Sequence, residues 1–272
     1  MKRTIKKIFW YPFNSKDRIE ELQERIRLKE WQSFEKFIPE NCTFLDVGCG
    51  AGHNLQLARN EKRCIVKGVD AEPGSHGVGR FSKQLENNSI QQAFAEDLPF
   101  NDKEFDVVFC SHVLEHVNDE AKSLQEINRV LKDKGVAIIG MPTATMAWVH
   151  LFSHYFLATH RNVLFAFKAV GKKDFWKRIM FIFVPGSHSA PRAKTIFYDL
   201  NHYRVANWKK IVSNEFIITE TQLPLLYPYP DYIQWFKMKS SKRFSSSVFF
   251  ICKKKHSPNH KKNEKNKSNF LF

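Results

Sequence analysis

Apolar and polar positions follow two rhythms along this chain. From 17 to 38, Ile19, Leu22 and Ile26 recur at three- and four-residue spacing with charges between them. That spacing predicts an amphipathic helix, and Pro39 ends it. Beyond it, short apolar runs alternate with helical patterns. CTFLDV (42–47), CIVKGVD (64–70), IQQAFAED (90–97), FDVVFCS (105–111) and VAIIGM (136–141) predict five strands. FDVVFCS is apolar on both faces, as a buried parallel strand is. HNLQLARN (53–60) predicts one intervening helix. Asp119 to Leu131 predicts another, with Leu124, Ile127, Val130 and Leu131 on one side and Gly135 placed as its C-cap. After Pro142 the rhythm changes: 143–184 is rich in Phe, Trp and His and reads as helices. Alternation returns with a helix at 205–214, then FIITETQL (216–223) and SSVFFICKK (246–254), a pair of strands closing one edge of the sheet. The fold class is therefore α/β, a doubly wound, mostly parallel, seven-stranded Rossmann-like sheet with a helical insert after the fifth strand.

The same pattern divides the chain. Residues 1–40 are a basic segment and helix, 41–142 a ligand-binding half, 143–195 the insert, 196–252 the end of the fold, and 253–272 a basic, low-complexity disordered tail. Charge sharpens this division. The chain carries +15, yet 17–140 is acidic by six, while 1–16, 141–195 and 253–272 carry +5, +7 and +6. Positive charge outside the acidic half fits an anionic or phosphorylated partner, a membrane surface or nucleic acid. For the last twenty residues the plainer reading, solubilising lysines, is preferred. The five cysteines (Cys42, Cys49, Cys64, Cys110 and Cys252) form no C-x-x-C pair, which reads as reduced thiols in a cytoplasmic protein. No metal is expected.

The chemistry concentrates in FLDVGCGAGHNLQLA, 44–58. Gly48, Gly50 and Gly52 lie between a strand and a helix, where a ligand can approach main-chain N–H groups that a Cβ would shield. A Walker loop would continue with Gly-Lys-Ser/Thr; here His53-Asn54 follows. A dinucleotide fingerprint would put glycine at 53, and Asp46 beside a pyrophosphate would meet like charge. Asp46 suits a ligand with a cationic end. Asp70, 20 residues after Gly50, stands where a carboxylate accepts hydrogen bonds from ribose hydroxyls. Asp97 closes AFAED. The sheet pattern brings all three acids to the carboxyl ends of adjacent strands, over one crevice.

LDVGCGAG, the acid of VKGVDAE, AEDLPFNDKEFDVVFCSHVLEHV and INRVLKDKGVAIIGMPT together resemble the class I S-adenosylmethionine-dependent methyltransferases of the type 11 kind, over 44–141. The likeness is weaker over 200–252. The resemblance implies S-adenosyl-L-methionine as cofactor. It implies that Asp46 and the loop of Gly48, Cys49, Gly50 and Gly52 hold the methionine moiety and that Asp70 takes the ribose hydroxyls. It puts Asp97 and Leu98 beside the adenine, and Ser111 and His112 beside the sulfur. Should the acceptor be a hydroxyl, a base near neutral pKa assists, and His116 of VLEHV is the candidate, with His188 and His202 also within reach of the site.

The insert is expected to shape the acceptor site. Residues 143–160 hold no Lys, Arg, Asp or Glu, yet three His, three Thr and a Ser make them too polar for a spanning helix. KKDFWKRIMFIF (172–183) sets Phe175, Ile179 and Phe183 along one stripe with Lys173, Lys177 and Arg178 elsewhere, a basic amphipathic helix fit either to lie at an anionic membrane or to serve as a lid. The reading is a methyltransferase for a small-molecule acceptor, amphiphilic or anionic and sugar- or lipid-linked, peripheral at the inner membrane face, with no specific nucleic acid. The alternatives are RNA or protein methylation and a non-catalytic binding protein. No Asn/Asp-Pro-Pro-Tyr/Phe signature of base methylation follows the fourth strand.

Overall fold

The computed structural model describes residues 16–73, 89–155, 163, 166–168, 170–173, 175–189, 195–227 and 244–255. The basic N-terminal segment before residue 16 and the tail after 255 lie outside the described residues. Strands β1 (Thr43–Val47), β2 (Ile65–Asp70), β3 (Ile90–Gln92), β4 (Phe105–Ser111), β5 (Leu131–Pro142), β6 (Phe216–Gln222) and β7 (Ser247–Lys254) form one sheet in the order β3-β2-β1-β4-β5-β7-β6. β1 to β5 pair in parallel, and β7 runs antiparallel to both β5 and β6. This is the doubly wound α/β sheet that strand–helix alternation predicts, with its turnabout at β1 and β4, where a ligand crevice opens.

Alternation along the central strands divides the core into two layers. Phe44, Val107 and Phe109 enter one layer with Trp31 and Phe34 of α1 (Lys16–Phe34) and Leu55 and Ala58 of α2 (His53–Lys62). Leu45, Val108 and Cys110 enter the other, with Leu124 and Ile127 of α3 (Glu120–Val130) and Trp208 and Val212 of α7 (Val205–Glu215). The aromatic supply fills the first layer: the Phe34 ring lies 5.1 Å from Phe109 and 4.9 Å from Phe249. Buried Glu30 of α1 accepts from Arg27 at 2.8 Å, Tyr227 at 3.3 Å and Ser247 at 2.5 Å, so a charged side chain inside the layer is fully partnered.

Three local expectations change. The third strand ends at Gln92, because Phe94 and Asp97 turn back on each other as an isolated bridge. Gly135 is not a helix cap: α3 passes at Leu131 directly into β5, whose first residue already pairs with Phe105. A Cβ on Gly135 would meet the Asp106 carbonyl at 2.9 Å, so this glycine serves close strand approach. In the insert, α4 (Ala144–Ser153) and α5 (Phe175–Phe183) are helical as predicted, and α6 (Ile196–His202), just after it, is a helix the pattern did not predict. The face of α5 turned inward carries half-buried Phe175, Ile179 and Ile182, whereas Trp176, Met180 and Phe183 stand exposed. Phe183 therefore leaves the stripe predicted for it, because a straight i, i+4, i+8 row drifts around a helix of 3.6 residues per turn. His154 Nε2 lies 3.2 Å from the Ile182 carbonyl and the Tyr155 hydroxyl donates to that of Phe183, joining the ends of α4 and α5. Among the described residues no helix is long and apolar enough to cross a membrane. The five cysteines are buried free thiols.

Candidate functional site

The carboxyl ends of β1, β2 and β4 meet around the glycine loop. Gly48, Gly50 and Gly52 have φ of 75°, 53° and 87°, the left-handed region that glycine enters without strain. Gly48 and Cys49 donate to the Val69 carbonyl at 2.7 and 3.0 Å, and Gly52 donates to Cys49 at 2.8 Å. Gly50 donates to Asp70 Oδ2 at 2.8 Å, and Asp70 Oδ1 accepts from Glu72 at 2.8 Å. The loop amides expected to meet a ligand are thus largely engaged within the protein, and Asp70 is what fixes the loop's crest. Each carboxylate oxygen of Asp70 retains a second lone pair.

Beneath the loop lies a group of buried polar atoms without hydrogen-bond partners among the described residues: Asp46 Oδ2, Ser111 Oγ, His112 Nε2 and both carboxylate oxygens of Glu115. Buried polar atoms are nearly always satisfied, so such a group in one crevice marks a place where a polar ligand supplies the partners. His112 also has φ of 55°, a conformation that non-glycine residues reach at a cost of roughly 1–3 kcal/mol and that concentrates at functional sites. Its N–H donates to the Gly140 carbonyl at 3.0 Å, which holds the turn after β4 in place.

Burial and the nearby Asp70 charge push the Asp46 carboxyl well above its ordinary range, with Arg27 and the Asn54 amide acting in the opposite direction. A carboxyl in that condition favours a cation over a phosphate.

Comparison with known proteins agrees. A family model described as a methyltransferase domain matches residues 45–139. Residues 45–139 are a class I S-adenosylmethionine-dependent methyltransferase domain. YcgJ of Bacillus subtilis, an uncharacterized methyltransferase, is 40% identical over 95 residues, 34% of this chain and 37% of that protein. The ubiquinone/menaquinone biosynthesis C-methyltransferase UbiE of Citrifermentans bemidjiense is 32% identical over 121 residues, 42% of this chain and 52% of that protein. The matched part thus spans only about half or less of these relatives' length. The crystal structure of YcgJ superposes with a TM-score of 0.50 at 18% identity, covering 85% of this chain and all of that one, and so shows a shared fold.

The methyltransferase family uses S-adenosylmethionine, whose sulfonium makes its methyl group electrophilic. The residues of this methyltransferase domain fit that cofactor: a buried Asp46 oxygen without a partner among the described residues for the ammonium, and acceptor capacity on Asp70 for hydroxyls. Asp97 stands exposed at the rim, beyond β3, and Leu98 beside it is buried. The Leu98 N–H donates to Glu126 at 2.9 Å and its carbonyl accepts from Arg129 at 2.9 Å, so this segment is braced from α3. Ser111 and His112 close the crevice on the β4 side. A first prediction follows from Asp46. An ammonium needs the carboxylate anion, and the raised carboxyl holds its proton at lower pH, so donor binding should tighten as pH rises through that range and release a proton. Calorimetry in two buffers of different ionisation heat should give different apparent enthalpies, and Asp46→Asn should abolish the difference. Equal heats for the wild-type protein would remove Asp46 from the ammonium site.

The candidate histidines separate. His116 is 40% exposed at its side chain, and its ring centroid lies 5.0 Å from that of His188 in T-shaped contact. His188 comes from the insert and is fixed by Asp199, which accepts from its N–H at 2.7 Å and from the Ser187 hydroxyl at 2.6 Å. Burial chiefly lowers the His188 pKa, partly countered by the Glu115 charge. His202 is elsewhere: it pairs with Glu120 at 3.0 Å and lies between Tyr198 and Trp208. The residue that sequence reasoning missed is Glu115. Its side chain is fully buried, with Oε1 3.4 Å from His112 Nδ1 and 4.0 Å from His116 Nε2. Burial raises its pKa, and the three surrounding histidines outweigh that effect to leave it lowered. The His112–Glu115 spacing of three was its only local signal.

Proposed function

We propose that the chain is an enzyme that transfers a methyl group from S-adenosylmethionine to a small-molecule acceptor. One observation carries this reading: the orphaned buried polar atoms of Asp46, Ser111 and His112 converge at the strand ends beside a loop crest fixed by Asp70. In this reading Asp46 meets the ammonium, Asp70 the ribose, Asp97 and Leu98 the adenine. Ser111 and His112 wall the reacting end, and His116 at the rim serves as base for a hydroxyl acceptor. The protein's main task is alignment, since the donor arrives activated.

The acceptor is amphiphilic in this proposal, and the chain works at an anionic membrane face. Support comes from the exposed side chains of Trp148, Phe152, Trp176, Met180 and Phe183 on α4 and α5, next to exposed Lys172, Lys173 and Lys177. Aromatic and basic side chains on one helical element are what binds a headgroup boundary. UbiE, by name a methyltransferase of quinone biosynthesis, supports the same acceptor class.

One experiment tests both parts. The protein is incubated with a cell extract and methyl-labelled donor, the products are fractionated, and the protein is floated with vesicles of anionic lipid. Label in the organic-solvent fraction and co-flotation are expected. Label in RNA or protein would install the alternative substrates, and donor binding with no label in any fraction would leave a non-catalytic binder. Absence of flotation would end the membrane reading.

A further inference from the structure

Glu115 is a buried charge whose surroundings do not satisfy it. A carboxylate out of water is unfavourable unless a cation or hydrogen-bond donors compensate. Both of its oxygens lack a donor among the described residues, and its closest side-chain neighbours are imidazoles. One oxygen of Glu115 and one ring nitrogen each of His116 and His188 lie within 4.8 Å of one another.

We propose that Glu115, His116 and His188 bind a divalent transition-metal ion. With the ion bound, His116 is a ligand and no longer a base, and the ion itself lowers the pKa of a bound hydroxyl. Two imidazoles and a carboxylate are a donor set suited to zinc, manganese or iron, with coordination positions left for an outside ligand. Around a zinc ion with bonds of about 2.0–2.2 Å, ligand atoms stand about 3.3 Å apart, so the three donors need only a modest inward rotation. His116 is partly exposed and free to make that rotation. His188 is held from behind, since Asp199 fixes its backbone and Tyr203, 2.6 Å from Ser189, secures the following residue. Supporting hydrogen bonds of this kind place a metal ligand before the ion arrives. His112, on the other side of Glu115, keeps the carboxylate aimed into the cluster.

The position gives the ion a role. His112, which stands beside the donor crevice, lies 3.4 Å from Glu115 through its Nδ1, and the insert supplies His188. On the methyltransferase reading, an oxygen of the acceptor, as hydroxyl, enolate or carboxylate, occupies the open coordination positions and is thereby held near the methyl group. A cation there also favours acceptors carrying two adjacent oxygens over those with an isolated hydroxyl. No ligand-spacing pattern in the sequence registers this cluster, because His188 lies 72 residues beyond His116.

Metal binding is measured on the chelator-stripped full chain, with Zn²⁺ alone by calorimetry and Co²⁺ by visible absorption, and donor binding in parallel. One equivalent of Zn²⁺ at micromolar affinity or better is expected, with a Co²⁺ spectrum of low coordination number. His116→Gln and His188→Gln should each weaken Zn²⁺ at least ~10-fold, the low end of what even outer-shell changes cause. Circular dichroism confirms that each variant is folded, and His188→Asn serves if the first does not fold. A wild-type chain that binds donor but no Zn²⁺, or variants that bind Zn²⁺ as tightly as wild type, overturns the metal site alone. Zn²⁺ bound at these residues with no donor binding overturns the methyltransferase reading and leaves the metal site standing.

Discussion

Asp70→Ala should bind S-adenosylmethionine at least ~100-fold more weakly than the wild-type protein. Two effects act together. In the proposed role of Asp70 the substitution removes the acceptor of the donor's ribose hydroxyls, and hydrogen bonds to a charged group contribute about 1.5–3 kcal/mol each. The same substitution frees the Gly50 amide, which now donates to Asp70 Oδ2 at 2.8 Å, and so loosens the crest of the loop. Losing about 3 kcal/mol corresponds to a little over a 100-fold change in Kd. Asp70→Asn keeps one acceptor oxygen and should fall between. Calorimetric titration with the donor decides the matter: undiminished affinity in the alanine variant would separate Asp70 from the ribose.

Gly48→Ala should be strongly destabilising. At φ of 75° an alanine enters the left-handed region at a cost of roughly 1–2 kcal/mol. Its Cβ would also fall 2.1 Å from Val113 Cγ2, an overlap that forces one segment to move. Overpacking of this kind adds about 1–3 kcal/mol. For a chain of this size each kcal/mol lowers Tm by about 2–4 °C, so a fall of roughly 4–20 °C is expected. Gly171 provides the control. It has φ of 79° but nothing within 4 Å of an added Cβ, so Gly171→Ala should show the backbone cost alone. Val113→Ala removes the colliding methyl, and combining it with Gly48→Ala should restore part of the loss, a coupling that a double-mutant cycle measures. Equal melting shifts for Gly48→Ala and Gly171→Ala would show that the crowding is relieved without cost.

Both predictions rest on residues that were visible in the sequence, and this reflects how locally their behaviour is encoded. Asp46, the three glycines and Asp70 each sit at a change of rhythm from strand to helix or loop. At such a junction the backbone must take special φ values, and few residue types allow it. The separate roles of the histidines are different. His116, His188 and His202 look alike in sequence, yet His188 meets His116 while His202 is spent on Glu120. Glu115 stands in a motif that is easy to quote, but a carboxylate next to two histidines reads as an exposed turn until its burial is known.

The sequence by itself determined the succession of strands and most of the helices, the doubly wound sheet and the acid-flanked glycine loop. Periodicities of 2 and 3.6 and the conformational freedom of glycine are properties of neighbouring residues. Only the tertiary structure decided that Gly135 serves strand approach rather than a helix end, that the loop's amides turn inward to Val69 and Asp70, and that a histidine from the insert joins a buried glutamate after β4. Those outcomes depend on which distant surfaces pack together, and packing is a property of the whole chain that no local pattern contains.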